Sequence, residues 1–229
     1  LVGSEMCIRD RCLSENYLNA ESPDLKIAFF DIEADFDPEK GFSTPSDPFM
    51  PITAISVALQ WMDSLVTFAI PPKTMSIEEA KEITKDIDNL YLYKDEGEML
   101  LAFLDIIQDA DVLSGWNSEG YDITYVINII QKVLSKDDTR KLCLWKQLPK
   151  KRVFERFGRE QETYDLVGRV HLDSLELYRK YTYEERHSYR LDAIGEHELG
   201  EKKTVYEGRL DQLYNQDFRT VIDSVSYTH

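Results

Sequence analysis

Apolar positions along this chain change period as it proceeds. Lys26 to Ile32, Ile52 to Gln60 and Leu65 to Ile70 are rich in β-branched and aromatic residues, and they predict three consecutive strands. Pro45, Pro48 and Pro51 punctuate the link between the first two, so a loop is expected there. Ser76-Ile77-Glu78-Glu79 is a capping box, opening a helix with Ile77, Ala80, Ile83 and Ile87 on one face. A second helix is predicted from Glu96 to Gln108 through Met99, Leu100, Phe103, Leu104 and Ile107. Asp111 to Trp116 then reads as a short strand. Ile123 to Leu134 follows as an amphipathic helix through Ile123, Val126, Ile127, Ile130 and Leu134. The class is α/β, a sheet with helices on it, without internal repeats or low-complexity segments.

Two apolar stretches end abruptly in acid. Lys26-Ile27-Ala28-Phe29-Phe30-Asp31-Ile32-Glu33 carries two carboxylates on a predicted strand, and Ser114-Gly115-Trp116-Asn117-Ser118-Glu119-Gly120-Tyr121-Asp122 ends in a third. Residues two apart on a strand share a face, so Asp31 and Glu33 project together while Ile32 turns back. Paired carboxylates repel, and a hard cation such as Mg²⁺ offsets that cost, especially where substrate phosphate completes its coordination. A calcium loop is the competing reading, because Asp31, Glu33, Asp35, Asp37 and Glu39 alternate. It fails at Phe36, where the turn needs glycine, and at Phe42, where a bidentate glutamate is needed. Taken alone, Asp122 reads as a helix N-cap. Beside the Asp31–Glu33 pair and with Asn117 and Tyr121 in its approach, it reads as a metal ligand.

Composition changes the picture in one respect. A hydrophobic content of 42% with 31% charged residues describes a globular chain of 229 residues, enough for one domain with a sizeable core. No apolar run approaches the roughly 18 residues of a spanning helix. Cys7, Cys12 and Cys143 are too few and too scattered for a disulfide framework or zinc site, which fits reducing cytoplasm. The net charge of −16 is unlike the basic footprint of most nucleic-acid binders. Its basic residues are uneven, however: Lys141, Lys146, Lys150, Lys151, Arg152, Arg156 and Arg159 crowd one stretch, interleaved with Trp145, Phe154 and Phe157. Cations beside aromatic faces suit phosphates and unstacked bases. A solvated hairpin whose aromatics face the core is the alternative, and composition does not choose between them.

Phe30-Asp31-Ile32-Glu33 resembles the first exonuclease motif of family B DNA polymerases, and Gly115 to Asp122 resembles the second, in the replicative type of tailed bacteriophages. Gly168 to Tyr178 resembles the strand-to-helix segment that follows, and Ser188 to Gly195 the next helix. The resemblance covers roughly residues 25 to 223. It implies a ribonuclease H-like, DnaQ-like fold: a mixed β-sheet flanked by helices, with an inserted β-hairpin. It also implies a proofreading 3′–5′ exonuclease using two ions, Mg²⁺ or Mn²⁺. By resemblance Asp31 bridges both ions, Glu33 orients the attacking water and Asp122 anchors the other ion. Asn117, Tyr121 and Phe36 are the expected substrate-binding residues. The implied partners are a single-stranded 3′ end of DNA and the remaining polymerase domains. A sliding clamp would bind elsewhere, no membrane is involved, and the location is cytoplasmic, of a bacterial host if phage-encoded. A stand-alone DNA or RNA exonuclease and a non-catalytic binding module of the same fold are the alternatives.

The family closes its site with a tyrosine four residues before an aspartate. Tyr214-Asn215-Gln216-Asp217 is one residue short, and Asp223 has Arg219 where the tyrosine belongs. Residues 1–24 and 224–229 are expected to stand outside the domain, since Leu1 to Arg11 and Ser224 to His229 resemble translated sequencing-adaptor text. The fourth carboxylate is therefore expected to lie beyond this chain, leaving a fragment that is weak or inactive alone. Among nearby acids, Asp35 is expected on the loop surface and Asp173 as a helix N-cap.

Overall fold

The computed structural model describes residues 10–156, 158–200 and 210–227, and the expectations for residues 1–9, Phe157 and residues 228–229 lie outside these. Its strands are β1 (Ile27–Ala34), β2 (Ile52–Leu59), β3 (Ser64–Ala69), β4 (Leu90–Leu92), β5 (Val112–Gly115), β6 (Lys150–Arg156), β7 (Arg159–Asp165) and β8 (Val170–Asp173). Its helices are α1 (Ile77–Ile83), α2 (Glu96–Ile106), α3 (Asp122–Val133), α4 (Ser174–Tyr181), α5 (Leu191–Leu199), α6 (Leu210–Gln216) and α7 (Phe218–Tyr227). Six strands make one sheet in the order β4-β3-β2-β1-β5-β8, while β6 and β7 form a separate hairpin. β1, β2 and β3 run antiparallel in sequence, and β5 and then β8 add parallel to β1 on its other side. This is the mixed sheet with flanking helices and inserted hairpin expected of a ribonuclease H-like exonuclease fold.

The pleat sorts β1 into two faces. Ala28, Phe30 and Ile32 pack into the main core with Phe103 of α2 and Val126 and Ile130 of α3, the Phe30 and Phe103 ring centroids lying 5.7 Å apart. Phe29, Asp31 and Glu33 alternate with them and project to the opposite face. On that face α6 and α7 cover β2 and β3, with Tyr214, Phe218, Val221, Ile222 and Val225 against Ala54 and Ala69.

Two local expectations need correction, and one strand is unpredicted. β4 is too short for its periodicity to be read. Helix α1 opens on the predicted capping box but stops at Ile83, with Thr84 as the C-cap and its hydroxyl bonded back to the Ala80 carbonyl at 2.7 Å. Ile87, expected on that helix, packs instead against the α6–α7 cluster. The second correction concerns residues 224 to 227, which continue α7 rather than trailing from the domain. Ser224 and Val225 are buried, and the Ser56 hydroxyl donates to the Val225 carbonyl at 3.1 Å. The spacing of Phe218, Val221, Ile222 and Val225 is that of one helical stripe, which explains the burial.

Candidate active site

Strand β1 carries Asp31 and Glu33 opposite Ser56 and Ala54 of β2, just before a register shift at Glu33/Ala34. Strand β5 ends at Gly115, where a Cβ atom would sit 2.5 Å from the Phe30 carbonyl oxygen. Only glycine admits so close an approach of one strand end to another. From there residues 116–121 lead to α3, whose N-cap position is Tyr121, without a side-chain cap bond. Asp122 is the first helical residue, not the cap. Its Oδ1 accepts from the Ile32 backbone N–H of β1 at 3.3 Å, and the residue is 4% exposed.

The electrostatics locate the other acids. Burial first, and then the charge of Asp31, hold the Asp122 carboxyl well above the usual carboxylate range. The N–H groups of Asp122 and Ile32 oppose this, and Glu33 pushes the same way as Asp31. Burial also raises the Tyr121 phenol, followed by Tyr125, Asp122, Glu33 and Asp31. Asp31, Glu33, Asp122 and Tyr121 are therefore brought together, and Tyr121 stays neutral beside three acids. A cavity of about 270 Å³ opens from Asp31 between Phe29, Trp116 and Leu191.

The remaining predicted residues stand differently. Asn117 lies on the loop with φ of 60°, its N–H donated to Asp173 at 3.1 Å. Phe36 packs against Phe42 with centroids 4.7 Å apart, and Phe42 is the outer ring, 70% exposed. Sequence reasoning selected Phe36 and passed over Phe42. The signal was only Gly41-Phe42, a bulky ring after a turn glycine. Asp35 is half-buried and accepts from the Phe36 N–H. Asp173 does cap α4, as expected. Tyr214 and Asp217 are structural: Tyr214 donates to the Ile70 carbonyl at 2.7 Å, and Asp217 accepts from the Thr220 N–H at 3.2 Å. Asp223 pairs with Arg219, which also holds Asp86.

Helix α3 also straps down the loop beside the site. Tyr125 donates to the Met50 carbonyl at 2.7 Å, Asn128 to Pro45 at 2.8 Å and Lys132 to Pro48 at 2.8 Å. These positions share one helical face. Tyr164 of the hairpin donates to Asn128 Oδ1 at 2.7 Å, so loop and hairpin are tied to the helix that begins with Asp122. Much of the basic stretch is neutralised. Lys141 pairs with Asp105, Lys151 with Glu162, and Arg152 with both Glu119 and Asp165. The solvated-hairpin reading therefore accounts for these three cations, while Trp145, 75% exposed, does not face the core.

Glu96 completes the strap, its Oε1 accepting from the Ile52 N–H at 2.6 Å. Burial pushes its carboxyl from 4.5 up to about 7, against the pull of the Ile52 N–H and Lys132. A raised folded-state pKa contributes stability that is complete below pH 4.5 and lost as pH rises through about 7. Glu96→Gln keeps the acceptor and removes the charge. It should match the parent at pH 4.5 and exceed it at pH 8 by about 1 kcal/mol, allowing for partial exposure. Urea unfolding at both pH values checks this, and equal stability at pH 8 would remove Glu96 from the account.

Among the described residues, no three His, Cys, Asp or Glu side chains stand as a ready metal-ligand group. The donors nevertheless suit a hard dication. Asp122 offers carboxylate oxygen, is buried beside two like charges, and no basic group is among the causes of its shift. Among the described residues no helix is long and apolar enough to cross a membrane.

The chain matches the family described as DNA polymerase family B, exonuclease domain, over residues 5–194, beginning within the segment expected to stand outside the domain. It is 28% identical over 232 aligned residues to the DNA-directed DNA polymerase of Escherichia phage RB69, covering 92% of this chain and 25% of that protein. The DNA-directed DNA polymerase of Enterobacteria phage T4 is 24% identical over 144 residues, 61% of this chain and 16% of that one. The DNA polymerase delta catalytic subunit of Candida albicans is 34% identical over 122 residues, covering 50% of this chain and 12% of the subunit. The chain thus spans about a quarter of the length of its RB69 relative. With a matching family over most of its length and the mixed sheet flanked by helices that the family implies, this chain belongs to the exonuclease domain of family B DNA polymerases.

Proposed function

We propose that the chain is a proofreading 3′–5′ exonuclease domain, hydrolysing the 3′-terminal phosphodiester of single-stranded DNA with two divalent ions, Mg²⁺ or Mn²⁺. The observation that carries this is the buried Asp122 carboxylate, set against the Ile32 N–H between the charges of Asp31 and Glu33. These three acids would hold the ions. When bound, such ions supply a water of lowered pKa and stabilise the leaving 3′ oxygen. The protein's own part is positional. Ile32 N–H fixes the Asp122 carboxylate, and the neutral Tyr121 phenol is a hydrogen-bond donor beside it. Phe42, backed by Phe36, offers an exposed ring for an unstacked base. The remaining polymerase domains would supply the basic surface that a chain of net charge −16 lacks.

The test is single-turnover digestion of a 5′-labelled oligonucleotide with protein in excess. We expect slow, stepwise shortening from the 3′ end with release of nucleoside 5′-monophosphates, requiring Mg²⁺ or Mn²⁺ and stopped by EDTA. Internal cuts, or shortening that survives EDTA, would contradict the reading.

A further inference from the structure

We propose that Asp173 is a positioning residue of this site, a carboxylate clamp that fixes the backbone of Asn117 to Glu119 and so sets where Asp122 meets β1. The segment from Gly115 to Asp122 leaves the sheet and must satisfy its own backbone. Four N–H groups at this bend are held in two ways. Gly120 donates to the Asn117 carbonyl at 3.1 Å, and Ile123 to the Ser118 carbonyl at 3.0 Å. Asn117 and Glu119 instead donate to Asp173, at 3.1 Å to Oδ1 and 3.0 Å to Oδ2. Asn117 also sits in the left-handed region, which non-glycine residues enter only when neighbours hold them there.

The same carboxylate caps α4, with Oδ1 accepting from the Leu175 N–H at 2.9 Å and the Glu176 N–H at 3.4 Å. A cap alone does not require aspartate, since serine or asparagine serves as well. The second oxygen is the informative one. Oδ2 serves Glu119, and an asparagine that kept its oxygen on the helix would turn an NH₂ group against that N–H. The need for a carboxylate thus comes from the loop. Strand β8 adds a second grip two residues earlier on the same face. Ser118 Oγ donates to the Gly115 carbonyl at 3.1 Å, so His171 Nε2, 3.0 Å away, carries the hydrogen and donates to Ser118. Residues 117, 118 and 119 are all held from β8, and Asp122 follows within one turn.

Asp173→Asn and Asp173→Ser separate the two roles, because both retain a helix cap. Amide hydrogen exchange in the 229-residue chain is the first reading. Exchange at Glu119, which is held by Oδ2, should accelerate roughly tenfold in both variants, while Asn117, which shares Oδ1 with the helix, should accelerate less in Asp173→Asn, with Leu175 still protected. The second reading rests on the proposed exonuclease activity. The rate constant at saturating DNA should fall roughly tenfold or more with little change in half-saturating concentration. Asn117→Gly, which removes the left-handed penalty, should recover part of the lost Glu119 protection in the Asp173→Asn background. A purely structural cap would show no such rescue. Unchanged exchange at Asn117 and Glu119, or loss confined to Leu175 and Glu176, would overturn the proposal. Exchange decides it even where the parent fails to cut DNA, which would count against the exonuclease reading instead.

Discussion

Asp122→Ala should lower 3′-end hydrolysis by roughly 10³-fold or more while leaving the fold intact. Asp122 stands at the start of α3 without capping it, and its carboxylate is committed to Ile32 N–H between Asp31 and Glu33. The three acids act as a unit, so Asp31→Ala and Glu33→Ala should cost nearly as much, and the double variants little more. Stability should move the other way. Burying a charge beside two like charges is unfavourable, so without metal Asp122→Asn should unfold at higher temperature than the parent near neutral pH. Rate and thermal unfolding are measured on the same preparations. Parental rates in Asp122→Ala would return this residue to a structural role.

Gly115→Ala should damage both fold and site. The added Cβ would meet the Phe30 carbonyl oxygen at 2.5 Å and Ser118 Cβ at 3.0 Å. The first obstacle is backbone of the strand that carries Asp31, so no rotamer change relieves it. Overpacking of this kind costs about 1–3 kcal/mol, which for a chain of this size lowers the melting temperature by roughly 2–12 °C. Activity measured well below the melting temperature should fall further than the unfolded fraction explains, because the peptide displaced is next to Asp31. Parental melting and parental rate together would show that β1 and β5 can separate at no cost.

Much of the scaffold was legible because its signals are local. The strand runs at Lys26, Ile52 and Leu65, the capping box at Ser76 and the stripe from Ile123 to Ile130 each lie within a few residues. The acids of β1 were legible for the same reason, since two carboxylates ending an apolar strand contradict their surroundings. What stayed hidden depends on distant partners. Glu96 looks like any acid in a first helical turn, and only its half-buried place against the Ile52 N–H shows why desolvation holds its carboxyl up at about 7. Asp173 reads as a cap because Leu175 and Glu176 are adjacent, whereas its bonds to Asn117 and Glu119 span more than fifty residues. The basic stretch stayed open between two readings for a related reason: Asp105, Glu119 and Glu162, which pair with Lys141, Arg152 and Lys151, come from elsewhere in the chain or across the hairpin.

Calorimetric titration of Mn²⁺ into the parent and into Asp31→Ala tests the central claim most directly. The account predicts binding in the parent that Mg²⁺ competes away, and loss of that binding in Asp31→Ala with the fold preserved. Equal affinity in the two proteins would contradict it and exclude Asp31 as a ligand.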